Sequence, residues 1–180
     1  YIPPGGNWQD LPDRYNSKRL DRIRETGGRT TYYGRLVWDK PSYTITTYFN
    51  RLPNGCNIHP EQKRVISIRE AARLQSFPDK YEFIESKTSQ YKQIGNAVPP
   101  LLGRFIAEQL KDHVQDNSVF DLFAGAGGLS EGFMMEGFNL VGANELVKQY
   151  FSTYIHNHKH LASNENFVQG DITEEKTKEE

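Results

Sequence analysis

Residues 120–128 read Phe-Asp-Leu-Phe-Ala-Gly-Ala-Gly-Gly, an apolar segment that runs directly into a glycine-rich turn. This pattern predicts an apolar strand followed by a turn in which the backbone passes close to a ligand at the carboxyl end of the strand. A dinucleotide-binding turn would need a further glycine where Ser130 stands, so the NAD fingerprint is not met. The turn fits an adenosyl cofactor whose sulfonium and amino-acid end need no phosphate cradle, and the alternative is a plain tight turn between strand and helix.

The chain from residue 118 onward alternates between strand and helix patterns. Strands are predicted at residues 119–123, 139–143 and 167–168, and helices at residues 129–136 and 147–158. Such alternation indicates parallel strands joined by right-handed crossovers. The predicted fold class is therefore α/β, and this part of the chain is the nucleotide-binding half of a doubly wound, Rossmann-like sheet.

Acidic residues follow the second and third predicted strands. Glu145 is placed to accept hydrogen bonds from a ribose diol, and Asp171 to accept from an adenine amino group. Each carboxylate alone is more often a loop residue or a helix cap. Together with the glycine turn, at the ends of successive strands, they favour a site for S-adenosylmethionine or its product S-adenosylhomocysteine.

Two helices are predicted in residues 64–110. Ser67 and Glu70 form a capping box that starts a helix extending to about Phe77. A second helix is predicted to begin at Pro99 or Pro100, where the missing N–H costs nothing. Its apolar face is expected to pack against a sheet, and comprises Leu102, Phe105, Ile106, Gln109, Leu110 and Val114.

The first 60 residues are irregular and rich in Gly, Pro, Asn, Tyr, Thr and Arg, with one strand candidate at residues 42–49. Residues 1–73 hold 13 Lys and Arg against 7 Asp and Glu, a net charge of +6, whereas the rest of the chain carries −7. A basic segment interspersed with tyrosines favours contact with DNA phosphates and bases, and the alternative is a solvated basic loop. The expected DNA-binding residues are Arg29, Arg35, Thr44, Thr46, Arg51 and Lys63.

The composition bears on disulfides, metal sites and membrane association. With Cys56 as its single cysteine, the chain can form neither an internal disulfide nor a multi-thiolate metal site, and we expect no metal. The mean hydropathy is −0.73, and no apolar run approaches the length of a transmembrane helix. We therefore expect a cytoplasmic protein with no membrane partner.

Five strings together resemble the signatures of the DNA (cytosine-5)-methyltransferases. The turn at residues 121–128 resembles the first motif of that family, Asn144-Glu145 the second and Gly170-Asp171-Ile172 the third. Residues 64–79 resemble the ninth motif and residues 93–100, Gln-Ile-Gly-Asn-Ala-Val-Pro-Pro, the tenth. The region before residue 64 resembles the target-recognition region that precedes the ninth motif.

The resemblance implies three functional parts: a DNA-recognition region at 1–63, the ninth and tenth motif helices at 64–110, and the first part of a methyltransferase core at 118–180. It also implies a cofactor site built from three segments of the chain. The residues expected there are Phe123, Ala124, Gly125, Ala126, Gly128, Leu129, Glu145, Leu146, Asp171, Ile172, Asn96, Ala97 and Val98.

The resemblance further implies attack of a cysteine thiolate on C6 of a flipped cytosine and methylation of C5. The Pro-Cys-Gln and Glu-Asn-Val strings that carry this chemistry are absent from the 180 residues. Cys56 lacks the flanking Pro and Gln, so we assign no catalytic residue.

The order of the motifs is the reverse of the family's, because the ninth and tenth precede the first. We expect a circularly permuted or split enzyme, completed by a second polypeptide or a downstream segment that carries Pro-Cys-Gln. The alternatives are a catalytically silent DNA-binding or regulatory subunit of a methyltransferase, and a methyltransferase that acts on RNA.

Overall fold

The computed structural model describes residues 1–161 and 166–174 of the 180-residue chain. The chain divides into two compact units: unit 1 is Tyr1–Ala71 and unit 2 is Ala72–Glu180. None of the helices in the described part is long and apolar enough to cross a membrane. The functional division at residues 1–63, 64–110 and 118–180 stays a prediction, and its last part extends over residues outside the described ones.

Unit 1 contains little regular structure, as expected. Its elements are the helix α1 (Lys18–Thr26), the strands β1 (Gly34–Arg35) and β2 (Cys56–Ile58), which pair in parallel, and 3₁₀ turns at Trp8–Asp10 and Leu52–Asn54. Ser17 caps α1 by accepting a hydrogen bond from the Leu20 amide, and Gly27 ends the helix in the left-handed conformation. Trp8 packs against α1 in a small core cluster.

The prediction of a strand at residues 42–49 is wrong. No strand is assigned there, and a turn forms in which the Phe49 amide donates to the Thr46 carbonyl at 3.3 Å. Ile45 and Phe49 are buried, while Tyr43 and Tyr48 are exposed. The β-branched residues favour an extended backbone, but burial of two side chains four residues apart outweighs that preference.

The capping box is confirmed at the start of α2 (Ile68–Leu74). The Glu70 amide donates to Ser67 Oγ at 3.2 Å, and the Ser67 amide donates to Glu70 Oε2 at 2.7 Å. Arg64 binds the same carboxylate with two nitrogens, at 2.6 and 2.7 Å, and holds the pKa of Glu70 at about 2. The helix ends three residues earlier than predicted.

Unit 2 carries the predicted alternation of strands and helices. Its elements after α2 are α3 (Lys87–Asn96), α4 (Pro100–Leu110), β3 (Ser118–Asp121), α5 (Gly128–Met135), β4 (Asn139–Glu145), α6 (Lys148–Asn157), β5 (Phe167–Gln169), and 3₁₀ turns at Lys111–His113 and Lys159–Leu161. The three strands are parallel in the order β3-β4-β5. The predicted βαβαβ unit and the helix start at Pro100 are confirmed, with boundaries shifted by one or two residues. The sequence pattern predicts neither α1 nor α3.

The face by which α4 packs differs from the prediction. The buried positions are Pro100, Gly103 and Ala107, which pack against α5, while the predicted apolar face is exposed. A Cβ atom on Gly132 of α5 would lie 2.3 Å from the Pro100 carbonyl oxygen and 2.5 Å from the Arg104 nitrogen. Glycine therefore lets the two helix backbones approach closely, and this contact overrides the apolar pattern.

Candidate cofactor site and nucleic-acid surface

A pocket of about 240 Å³ lies in unit 2 at the carboxyl ends of β3 and β4. The crevice at the carboxyl ends of parallel strands is the usual ligand site of such sheets. The turn between α3 and α4 closes one side of it. The sequence-predicted residues that line the pocket are Asn96, Ala97, Val98, Phe123, Ala124, Gly125, Ala126, Gly128, Leu129 and Glu145.

The glycine turn takes a conformation that other residues adopt with strain. Gly125 and Gly127 have φ values of 54° and 91°, in the left-handed region. A Cβ atom on Gly128 would lie 2.1 Å from the Val98 carbonyl oxygen. The tenth-motif string and the first-motif string therefore touch through their backbones, which places both on the wall of the same pocket.

Glu145 holds the glycine turn against the end of β4. Its Oε2 accepts a hydrogen bond from the Gly125 amide at 2.8 Å, and its Oε1 accepts from the Val147 amide at 2.7 Å. The residue is only 8% exposed and lines the pocket. Each carboxylate oxygen has two lone pairs, so Glu145 retains capacity to accept hydrogen bonds from a ligand.

Buried polar groups support the turn from beneath. The Tyr81 hydroxyl donates to the Ala126 carbonyl. Ser130 Oγ donates to Asp121 Oδ2 at 2.6 Å and lies 2.8 Å from the Tyr154 hydroxyl. Burial raises the pKa of Asp121 and of Tyr154. The turn is thus fixed by side chains from three separate segments of unit 2.

Three pocket residues were missed by sequence reasoning: Gln93, Asp121 and Tyr150. Gln93 is 1% exposed and donates to Ser89 Oγ at 3.0 Å. Among the described residues, its Oε1 has no hydrogen-bond partner. A buried, unpaired acceptor in a pocket wall is suited to a ligand donor. The sequence feature that could have identified Gln93 is its position as the first residue of the tenth-motif string at residues 93–100.

Three predicted site residues lie outside this pocket. Leu146 is 59% exposed, and Ile172 is half-buried. Asp171 Oδ1 accepts hydrogen bonds from the Thr173 amide at 2.9 Å and the Thr173 hydroxyl at 2.8 Å, which lower the pKa of Asp171. The structure does not bring these residues to the pocket wall, and their contact with a cofactor stays a prediction.

Most of the predicted DNA-binding residues lie on the surface of unit 1. Arg29, Thr44, Arg51 and Lys63 are exposed. The Arg51 guanidinium lies 4.8 Å from the centre of the Tyr48 ring, a cation–π contact that leaves the cation at the surface. Thr46 is half-buried, and its hydroxyl oxygen is buried with no hydrogen-bond partner in the described part of the chain.

Arg35 is placed differently from the other predicted DNA-binding residues. It is 7% exposed, and its guanidinium donates to the main-chain carbonyls of Ile2, His59 and Gln62. This geometry gives Arg35 a structural role within unit 1. The sequence could not distinguish it from its exposed neighbours because spacing does not reveal burial.

A basic and aromatic pocket of unit 1 was also missed. It has a volume of about 450 Å³, and Arg14 and Lys63 line it together with Tyr1 and Tyr15. The Arg14 guanidinium lies 5.2 Å from the centre of the Tyr15 ring. Unit 1 as a whole holds 12 Lys and Arg against 7 Asp and Glu, a net charge of +5. This combination suits a polyanionic ligand.

The structure gives Cys56 no nucleophilic character. Its side chain is buried in β2, and burial raises the pKa of the thiol. A raised pKa keeps the sulfur protonated near neutral pH, whereas a nucleophile must be a thiolate.

The parallel sheet with alternating helices and the glycine turn define a Rossmann-like α/β domain. The family model for C-5 cytosine-specific DNA methylases matches residues 4–112 and 117–180. The chain therefore belongs to this family. The break between the two matched segments falls at the connection between α4 and β3.

Relatives in the same family come from bacteria and plants. The chain is 46% identical over 113 residues to the type II methylase M.HgiDII of Herpetosiphon aurantiacus, which covers 60% of this chain and 31% of the relative. It is 41% identical over 110 residues to the type II methyltransferase M.Sau96I of Staphylococcus aureus, and this match covers 61% of this chain and 25% of the relative. The match to DNA (cytosine-5)-methyltransferase 3 of Arabidopsis thaliana has 36% identity and covers 61% of this chain and 9% of the relative. The chain thus spans less than a third of the length of these relatives.

Proposed function

We propose that this chain is the DNA-recognition and cofactor-binding portion of a DNA cytosine-5 methyltransferase. Its pocket in unit 2 would bind S-adenosylmethionine, and unit 1 would bind double-stranded DNA. The observation that carries the proposal is the pocket itself. Two strings far apart in the chain, at residues 96–98 and 123–129, form its walls together with Glu145.

The residues of the pocket fit an adenosyl cofactor. The unpaired Gln93 Oε1 and the Glu145 carboxylate offer acceptors for amino and hydroxyl donors. Among the described residues no basic side chain lines the pocket, so a phosphate would have no cationic side chain to pair with there. Apolar contact would come from Phe123, Leu129 and Val98. When bound, S-adenosylmethionine supplies an electrophilic methyl group on its sulfonium. The chain's own residues would hold and orient that methyl group and would exclude water from one side.

The nucleophile in this proposal comes from a polypeptide or segment that carries a Pro-Cys-Gln string. Support comes from the absence of that string in the 180 residues and from the buried, protonated state of Cys56. The reversed motif order would result from circular permutation or splitting, with the connection after α4 joining the family's usual ends. A catalytically silent regulatory subunit is the competing function. A cytoplasmic location is part of the proposal, and the bacterial type II methyltransferases among the relatives support it.

The cofactor assignment predicts a loss of affinity when Glu145 is replaced with alanine. Removal of a buried charged acceptor should cost on the order of 1.5–3 kcal/mol, or roughly tenfold to a hundredfold in affinity for S-adenosylhomocysteine. Isothermal titration calorimetry measures this directly. Glu108→Ala removes the same charge from the exposed side of α4 and should bind like the unaltered chain. Equal affinity of a folded Glu145→Ala chain and its Glu108→Ala control would refute the assignment.

The DNA assignment predicts binding that weakens steeply as salt rises, because phosphate contacts release counterions. Arg29→Ala, Arg51→Ala and Lys63→Ala should each reduce the slope of log K against log salt by about 0.9. Fluorescence anisotropy with a labelled duplex at several salt concentrations measures the slope. Lys87→Ala removes an exposed cation from unit 2 and should leave the slope unchanged. A slope that responds to Lys87 as much as to the unit 1 residues would contradict the assignment.

A further inference from the structure

A buried histidine and a buried glutamate face each other close to the glycine turn of unit 2. His158, directly after α6, is 1% exposed, and Glu131, in the first turn of α5, is 8% exposed. Nε2 of His158 lies 3.8 Å from Oε2 of Glu131. Neither side chain lines the proposed cofactor pocket, and the proposed function assigns no role to either.

The contacts of the His158 ring determine where its first proton lies. Nδ1 lies 2.8 Å from the main-chain carbonyl oxygen of Tyr154, which can only accept a hydrogen bond, so Nδ1 carries a proton. In a neutral ring, Nε2 is then a bare acceptor. Within residues 1–161 and 166–174, this buried Nε2 atom has no hydrogen-bond partner. The ring atom that faces Glu131 therefore requires a donor.

Burial determines which protons the two side chains hold. It raises the pKa of Glu131 and lowers the pKa of His158, so it favours the uncharged form of both. Lys80 counteracts the effect of burial on the pKa of Glu131. At His158, His160 and Lys80 act in the same direction as burial. The favoured state is therefore uncharged, with one proton on the Glu131 carboxyl and a neutral imidazole.

Three other ionisable groups belong to the same buried cluster. Burial raises the pKa of the Tyr81 and Tyr154 hydroxyls, which keep their protons over the range in which a glutamate or a histidine titrates. Burial also raises the pKa of Asp121, and its hydrogen bond from Ser130 opposes this effect. Because Asp121 can titrate too, variants of Glu131 are needed to isolate the contribution of the pair.

We propose that Glu131 and His158 are a positioning pair that shares one proton, donated by the Glu131 carboxyl to His158 Nε2, and that loss of this proton weakens cofactor binding. The separation of 3.8 Å is longer than a hydrogen bond, and rotation of the Glu131 side chain closes it. When the proton leaves to solvent, a buried carboxylate faces a bare nitrogen lone pair, and neither atom has a donor. This inference rests on the proposed function, because it concerns the regulation of the same cofactor site by pH.

Two contacts connect the pair to the glycine turn. The Glu131 amide donates to the Gly127 carbonyl at 2.9 Å, so Glu131 belongs to the helical turn that the glycine turn starts. The His158 ring lies against the Tyr154 ring, with the ring centres 4.7 Å apart. The Tyr154 ring in turn packs on Gly127, where a Cβ atom would lie 3.0 Å from Tyr154 Cδ2. Repulsion between the two side chains therefore separates α6 from α5 at the point where both support the turn.

The pH dependence follows from the proton count of the folded and unfolded chains. Between the ordinary pKa of a glutamate, about 4.5, and that of a histidine, about 6.5, both states hold one proton, so stability is constant. Above this range the unfolded chain has lost its proton, and stability falls as pH rises through the raised pKa of Glu131. Below it the unfolded chain holds two protons, and stability falls as pH decreases toward the lowered pKa of His158. The pair thus predicts a bell-shaped profile whose alkaline side depends on Glu131.

The test uses the full 180-residue chain and two measurements from about pH 5 to about pH 9: urea unfolding, and calorimetry with S-adenosylhomocysteine. The affinity of the unaltered chain should fall about tenfold across the alkaline side, because one proton is lost. Glu131→Gln places an amide that donates to His158 Nε2 at every pH, so this chain should keep its affinity there. Glu82→Gln is the matched control, since it removes a carboxylate that lies 2.6 Å from His156 Nε2 at the surface. It should titrate like the unaltered chain.

Nitrogen-15 NMR of the imidazole rings tests the pair without any cofactor. The signal of His158 is the one that disappears in the His158→Gln chain, and we expect the neutral form protonated at Nδ1 near neutral pH. An imidazolium or a ring protonated at Nε2 would overturn the inference. This readout needs only the unaltered chain to be folded, so it decides the question even if Glu131→Gln fails to fold.

Two further results would also overturn the inference: equal alkaline profiles of the unaltered and Glu131→Gln chains, or a profile that Glu82→Gln abolishes. Failure of the proposed function is distinguishable from these. A chain whose stability profile responds to Glu131→Gln as expected, but which does not bind S-adenosylhomocysteine, keeps the pair and loses the cofactor site. A chain that binds the cofactor with one pH dependence in all variants keeps the site and loses the pair.

Discussion

Replacement of Gly132 with alanine is expected to reduce the free energy of unfolding of unit 2 by about 3 kcal/mol. The added methyl group would meet backbone atoms of Pro100, Gly103 and Arg104 at 2.3 to 2.8 Å. Backbone atoms of a packed helix cannot move aside as a flexible side chain can, so α4 must shift away from α5. The gain in helix propensity from glycine to alanine, about 1 kcal/mol, offsets only part of this cost.

The effect of Gly132→Ala should reach the proposed cofactor pocket of unit 2 as well. α4 begins at Pro100, directly after the pocket residues at 96–98, so its displacement moves that wall. We expect a melting temperature of unit 2 lower by about 13 °C in circular dichroism, together with weaker binding of S-adenosylhomocysteine. Gln109→Ala is the matched control, since it introduces alanine at an exposed position of α4. If Gly132→Ala melts with its control, the close helix contact is not a feature of the folded protein.

The second large effect is expected in unit 1, from Arg35→Ala. The substitution removes a buried cation and leaves the carbonyls of Ile2, His59 and Gln62 without their donor. An unpaired buried polar group costs about 1–3 kcal/mol, so we expect a loss of about 3–5 kcal/mol in the stability of unit 1. Arg35→Lys should recover only part of it, because one ammonium cannot reproduce the fork of a guanidinium.

Tryptophan fluorescence can assign the Arg35→Ala effect to unit 1. The two tryptophans of the chain, Trp8 and Trp38, both lie there. Urea unfolding followed by their emission should shift to lower denaturant concentration in Arg35→Ala, while Arg51→Ala, an exposed cation, should unfold like the unaltered chain. Cofactor binding by unit 2 serves as the internal reference. A variant that keeps its unfolding midpoint but loses DNA affinity would instead favour the original prediction that Arg35 contacts DNA.

Sequence patterns predicted the features that depend on local chemistry. The capping box at Ser67 and Glu70, the helix start at Pro100 and the alternation after residue 118 are each set by residues close together in the chain. The pocket residues that follow β3 and β4 were expected because parallel strands bring their carboxyl ends to one edge of the sheet. Asn96, Ala97 and Val98 were expected from the family resemblance, and Asp171, after β5, does not line the pocket.

The wrong predictions concern features that tertiary packing determines. Residues 42–49 have strand propensity, but burial of Ile45 and Phe49 produces a turn. The apolar side of α4 was expected to be buried, yet the close approach of Gly103 to α5 determines which side packs. The sequence around Arg35 resembles that around the surface arginines of unit 1. Only the folded structure shows that main-chain carbonyls surround its guanidinium. None of these outcomes is encoded in spacing alone.

The short connection between α4 and β3 also affects the order in which unit 2 assembles. A 3₁₀ turn at Lys111–His113 leads from the helix to the strand. Gly103 and Gly132 therefore meet across a separation of only 29 residues in the chain. Each doubling of a loop costs about 0.6 kcal/mol in closure entropy, and local contacts form early in folding. Were α4 attached to the distant end of a full-length enzyme, this contact would have to wait for synthesis of the whole domain. Here α4, β3 and α5 can form a nucleus on the ribosome as soon as Met135 has emerged, before β4 and β5 exist to extend the sheet.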